Sequence, residues 1–187
     1  MIIDHGKHQL ILKFVWWGPA MSGKSTSVRF LFKKYNKLEN LESIETGAGR
    51  TLFFDFGDLI FSKGSWIIKI NIWSCTGQNF YSETRPTILK GADGIIFIAD
   101  AQSKLINDNI ESWEELKRLL GPNISKIPII FCLNKMDLSD SFNLISIQQL
   151  IEYLHLNDTF PIFETIAKTG YNVHKSFSQL LNKINSG

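Results

Sequence analysis

Apolar blocks alternate along the chain with polar, glycine-marked segments. Leu10-Ile-Leu-Lys-Phe-Val-Trp-Trp17 is rich in β-formers and stops at Gly18, which predicts a buried strand. From Lys24 to Tyr35, Val28, Leu31 and Phe32 recur at helical spacing. Asn40 to Arg50 is polar and carries Gly47 and Gly49, the pattern of a loop. Thr51–Phe61 and Ser65–Trp73 predict two strands joined by a turn at Ser62-Lys63-Gly64, an antiparallel hairpin. Gly77 to Gly91 reads as a loop running into a helix that Pro86 kinks or resets.

The second half is more regular. Gly94–Asp100 and Pro128–Asn134 are continuous apolar strands, and Pro161–Thr165 is a shorter one. Helices are predicted over Ile106–Leu120, ended by Gly121-Pro122, over Ile145–Leu154 and over Val173–Ile184. Strands that are apolar throughout, separated by amphipathic helices, predict an α/β fold: a mostly parallel sheet with helices on both faces and one antiparallel hairpin strand.

Bulk properties narrow the class. The 187 residues suit one domain, taken as 1–187, and 44% hydrophobic content argues against disorder. A net charge of +2 gives no reason to expect nucleic acid as a partner. Cys75 and Cys132 sit in or beside apolar runs without zinc spacing, as buried thiols of a reducing, cytoplasmic protein do. The first ten residues lack a signal-peptide core, and no apolar run reaches the ~20 residues that span a bilayer. Position 2 is Ile and the chain ends Asn-Ser-Gly, so no lipid anchor is expected.

Gly18-Pro-Ala-Met-Ser-Gly-Lys-Ser25 fits G-x-x-x-x-G-K-[ST] between a strand and a helix. This is a phosphate-binding loop, with Gly18, Ala20, Met21, Ser22, Gly23, Lys24, Ser25 and Thr26 as its candidate residues. Backbone N–H groups and the helix N-terminus attract phosphate, Lys24 reaches the β- and γ-phosphates, and the Ser25 hydroxyl suits Mg²⁺. Asn134-Lys-Met-Asp137 ends a buried strand, where open α/β sheets bind ligands. The Asp137 carboxylate suits the two donors on the guanine edge, which adenine lacks. Asn134 suits the neighbouring loops and the base edge, the Lys135 stem can cover the base, and the Ala167 N–H, beside Lys168, can meet guanine O6. GTP or GDP is the implied ligand, with Mg²⁺ as cofactor.

Together with Thr51 and Gly77-Gln78, these segments resemble the Ras-like small GTPase superfamily over nearly the whole chain. Arg50-Thr-Leu-Phe-Phe-Asp-Phe56, Thr76-Gly-Gln78 and Leu89-Lys-Gly-Ala-Asp-Gly-Ile-Ile-Phe-Ile-Ala-Asp-Ala-Gln102 are similar to MglA-type gliding-motility and polarity GTPases; related archaeal GTPases fit equally well. The resemblance implies a slowly hydrolysing molecular switch that recruits partners in the GTP state. Gly77 would contact phosphate, Gln78 would position water, Arg50 would act as an arginine finger in cis, and Thr51 would ligate Mg²⁺. It further implies a roadblock/LC7-type, MglB-like activating homodimer.

Two departures qualify this reading. The Mg²⁺-linked aspartate usual three residues before the switch glycine is Ser74 here, and the resemblance offers Asp55 as substitute. Asp55 is alternatively a strand residue facing solvent or pairing locally. Ala20 stands where relatives carry glycine, which favours slow turnover. Ser74 and Ala20 leave open a GTP-binding scaffold or assembly subunit, Rag-like and hydrolysing little; Gln78 and Arg50 favour the switch.

Overall fold

The computed structural model describes residues 1–45, 51–75, 85–157 and 159–185. Eight strands form one sheet: β1 (Ile2–Asp4), β2 (Gln9–Trp17), β3 (Leu41–Glu45), β4 (Thr51–Lys63), β5 (Trp66–Cys75), β6 (Gly94–Asp100), β7 (Ile129–Asn134) and β8 (Ile162–Thr165). The helices are α1 (Lys24–Lys34), α2 (Arg85–Leu89), α3 (Ile106–Leu120), α4 (Ile147–Leu154) and α5 (Val173–Asn185). The strand order is β3-β4-β5-β2-β6-β7-β8, with β1 paired to β2. β5, β2, β6, β7 and β8 run parallel; β4 lies antiparallel to β5, as the predicted hairpin requires.

Period-two alternation divides the apolar runs between two cores. Phe14 and Trp16 face α1 and α5 with Ile96, Ile98, Ile130 and Phe177. Val15 and Trp17 face the other way, with Phe97, Trp113, Phe131 and Leu133 beneath α2, α3 and α4. Every residue of β6 and β7 is buried, so these strands read as unbroken hydrophobic blocks. The buried indoles keep their N–H groups satisfied: Trp17 Nε1 donates to the Ser112 carbonyl at 3.0 Å, and Trp113 Nε1 to that of Leu154 at 3.1 Å.

Several local expectations change. Part of the segment read as a loop, Asn40 to Arg50, is β3, which pairs antiparallel with β4; its polar composition hid an edge strand. β1 forms a second antiparallel hairpin with β2. The β4–β5 turn is Gly64-Ser65, with Gly64 at φ +61° and Lys63 opposite Trp66. Pro86 lies within the described residues of α2. α4 begins after Ser146, whose hydroxyl accepts from the Gln149 N–H while the Gln149 side chain accepts from the Ser146 N–H. Ile145 stays outside the helix because its N–H donates to the Ala101 carbonyl.

Phe177 is fully buried, edge-on to Phe14 at 5.8 Å and stacked on Trp16 at 6.3 Å. Phe177→Ala should lower stability by about 3–5 kcal/mol. Urea unfolding checks this; an unchanged midpoint would contradict the packing.

Candidate nucleotide-binding site

The loop between β2 and α1 is shaped by close approaches. Gly18 has φ +139°, and a Cβ there would lie 2.2 Å from the Ile98 carbonyl oxygen. Gly23 has φ +103°, and a Cβ would lie 2.2 Å from Asn134 Nδ2. Neither position admits a side chain. α1 starts with no side-chain cap and no acidic residue in its first turn, so its N-terminus keeps its positive potential. Ser22 is buried, and its Oγ has no hydrogen-bond partner among the described residues. Ala20, Met21 and Thr26 are exposed, and Ser25 is half-buried. Lys24 is buried and folds back over the loop, its Nζ donating to the carbonyls of Gly18 at 2.9 Å and Pro19 at 2.6 Å.

Asn134 joins this loop to two others. Its Nδ2 donates to the Ser22 carbonyl at 2.7 Å. Its Oδ1 accepts from the Ala167 N–H at 2.9 Å and from Thr165 Oγ1 at 3.2 Å. The Ala167 N–H, which the sequence offers to guanine O6, donates here to Asn134 Oδ1 and holds the loop after β8. Lys135, at φ +75°, directs Nζ to Asp100 Oδ2 at 2.5 Å. Asp137 and Lys168 are exposed at the same edge. Asp100 escaped the sequence reading, although its position is legible: it ends β6 in register with Asn134. Its other oxygen accepts from both the backbone and the side-chain nitrogen of Gln102 at 3.1 Å.

Asp55 and Ser74 are direct partners across β4 and β5, and both are buried. A carboxylate on β4 thus stands beside the position where the usual aspartate is missing. It also lies within electrostatic reach of Lys24. Burial drives the Lys24 ammonium down to about 8; Cys75 and Asp55 oppose the fall, while Arg85 and Lys135 add to it. The backbone of Thr51 opens β4 opposite Glu45. Arg50, Gly77 and Gln78 lie outside the described residues. Cys75 and Cys132 are buried free thiols, with burial pushing both up to about 12, so neither is a nucleophile.

A parallel sheet whose central strand ends in a glycine-cornered loop against an uncapped helix N-terminus defines a P-loop nucleotide-binding protein. The Ras family sequence profile matches residues 13–186. The chain is 32% identical over 177 residues to the mutual gliding-motility protein MglA of Myxococcus xanthus, covering 91% of this chain and 89% of the relative. It is 29% identical over 185 residues to human Ras-related protein Rab-4A, covering 96% and 79%. The chain belongs to the Ras family of small GTPases.

GTP, GDP and Mg²⁺, which such proteins bind in general, fit the residues present. Gly18 and Gly23 leave a cradle that a Cβ would fill, the buried Ser22 hydroxyl lacks a partner among the described residues, and a buried lysine covers the loop. Ser25 carries a hydroxyl and Asp55 a buried carboxylate, both oxygen donors of the kind Mg²⁺ takes. The lowered Lys24 value has a consequence for binding. Phosphate beside Nζ favours the ammonium, so the nucleotide-bound lysine keeps its proton to higher pH than the empty protein. Binding should take up a proton above pH about 8, and affinity should fall as pH rises above that value. Titration calorimetry in buffers of different ionisation enthalpy checks this; proton release on binding would contradict it. The empty fold has the complementary dependence: unfolded Lys24 stays protonated up to 10.5, so stability should rise from about 8 to 10.5.

Proposed function

We propose that this protein is a slowly hydrolysing, GTP-dependent molecular switch of the MglA type, a single cytoplasmic domain that recruits partners in its GTP state. The observation that carries the reading is the Asn134 side chain, which binds the phosphate loop to the loop after β8 while the next turn presents Asp137 to solvent. Phosphate recognition and base recognition are thereby held in one rigid arrangement.

In this reading Lys24 leaves the Gly18 and Pro19 carbonyls for the β- and γ-phosphates, and the loop N–H groups and the Ser22 hydroxyl face the same anion. The carboxylate of Asp137 accepts from the guanine N1–H and 2-amino group. Lys135, held by Asp100, lays its stem against the base, with Lys168 alongside. Mg²⁺ supplies charge neutralisation at the phosphates. Ser25 and Thr51 offer it hydroxyls, and Asp55 takes the role of the aspartate replaced by Ser74. Gln78 orients water, Arg50 stabilises developing charge, and Gly77 contacts phosphate. An MglB-like roadblock homodimer is the activator this reading implies. Among the described residues no helix is long and apolar enough to cross a membrane.

Two experiments test the assignment. Asp137→Asn should weaken GDP binding by ~10²-fold or more and improve binding of xanthosine diphosphate, because the substitution turns an acceptor into a donor at the base edge. A competition titration reads both; unchanged GDP preference would sink the guanine site. Asp55→Ala should raise the Mg²⁺ concentration needed for triphosphate binding, and adding Ser74→Asp should restore part of the loss, since the two side chains start from paired backbone positions. An unaltered Mg²⁺ requirement would show that the metal is held another way.

A further inference from the structure

Arg85 and Glu115 form an ion pair that none of these roles uses. Arg85 opens α2 and is buried; its Nη1 donates to Oε2 of Glu115 on α3. Its Nε and Nη2 have no hydrogen-bond acceptor among the described residues. The guanidinium carbon stands 5.9 Å from the centre of the Trp17 ring, and Trp17 is the residue before Gly18. α2 also packs on β5, which ends at Cys75. The cation is therefore wedged between the strand that feeds the phosphate loop and the outer helix α3. Packing alone is a weak reason for such a group, because a buried guanidinium with a single ion-pair bond among the described residues is costly to keep.

The pair is polarised toward the loop. Burial dominates both shifts, pushing Lys24 down and Cys75 up; Arg85 lowers Lys24 further and opposes the rise of Cys75, whereas Glu115 adds to that rise. The positive end thus lies on the phosphate side and the negative end on the α3 side.

We propose that the Arg85–Glu115 pair sets how strongly the site prefers a nucleoside triphosphate to a diphosphate. The inference rests on the guanine-nucleotide reading and deepens it. The triphosphate brings additional negative charge to the loop, where Arg85 contributes positive potential and Glu115 partly cancels it. Arg85 is a positioning residue that acts through the field of the loop and the seating of α2; contact with the nucleotide is not required. A unit charge acting through a partly buried setting changes such a preference by about threefold to tenfold, and burial limits screening by salt.

The test measures affinities of fluorescent GDP and of a fluorescent, non-hydrolysable GTP analogue in the full chain. Glu115→Gln, nearly isosteric, should raise the triphosphate-to-diphosphate preference about threefold to tenfold, and Arg85→Met should lower it by a similar factor. Opposite signs are the signature, because a purely structural tie between α2 and α3 would move both variants the same way. Shifts in the same direction, or an unmoved preference in Glu115→Gln, overturn the proposal. Should Arg85→Met fail to fold, the direction in Glu115→Gln decides alone. A wild-type chain without guanine-nucleotide affinity overturns the underlying reading and this one with it; a wild-type chain that binds both nucleotides, with unmoved variants, overturns only this one.

Discussion

The carboxamide of Asn134 ties the phosphate loop, through the Ser22 carbonyl, to a segment far from it in sequence, the end of β8 at Thr165 and the loop after it at Ala167. A neutral amide suits this task because it donates on one side and accepts on the other, so a single buried side chain satisfies partners of both kinds. Its location depends on the sheet. β7 and β8 run parallel to β6 and β2, which brings their C-terminal ends to one edge, and Asn134 is the last residue of β7. The cradle depends on it in turn, since Gly23 must be glycine to pass under Asn134 Nδ2.

Electrostatics at this edge follow from the same convergence. Lys24 and Arg85 are buried, Lys135 is nearby, and α1 points an uncapped N-terminus into the loop. Without an anionic ligand such a gathering is costly, and the structure shows the cost in the lowered Lys24 value and in the loop carbonyls that Lys24 borrows. Carboxylates offset part of it. Asp100 pairs with Lys135, Glu115 with Arg85, and Asp55 lies within reach of Lys24. An arrangement with a net positive centre and flanking acids favours phosphate while keeping the empty protein folded.

The hydrophobic pattern carried most of the architecture. β6 and β7 were legible as unbroken apolar blocks because both faces are covered, and Ile106–Leu120 emerged with the boundaries the sequence predicted. β3 and β1 were not legible: a short edge strand needs a partner's backbone more than an apolar face, and its composition looks like a loop. The start of α4 moved by two residues because the reciprocal Ser146–Gln149 bonds, rather than hydrophobicity, decide where the helix begins.

Sequence alone pointed to the phosphate loop and the family and singled out the candidate base-edge motif, since spacing within a few residues sets which backbone N–H groups and side chains can converge locally. Tertiary structure decided what no local pattern contains. The pairing of β4 with β5 placed Asp55 against Ser74, the register of β6 with β7 placed Asp100 beside Asn134, and the packing of α2 on α3 joined Arg85 to Glu115. These contacts link residues 19, 34 and 30 positions apart on different strands and helices, and their geometry is set by strand register and helix docking. The reason is physical: a side chain's chemistry is written in its own residue, but its charge, burial and partner come from whichever segment the fold packs against it.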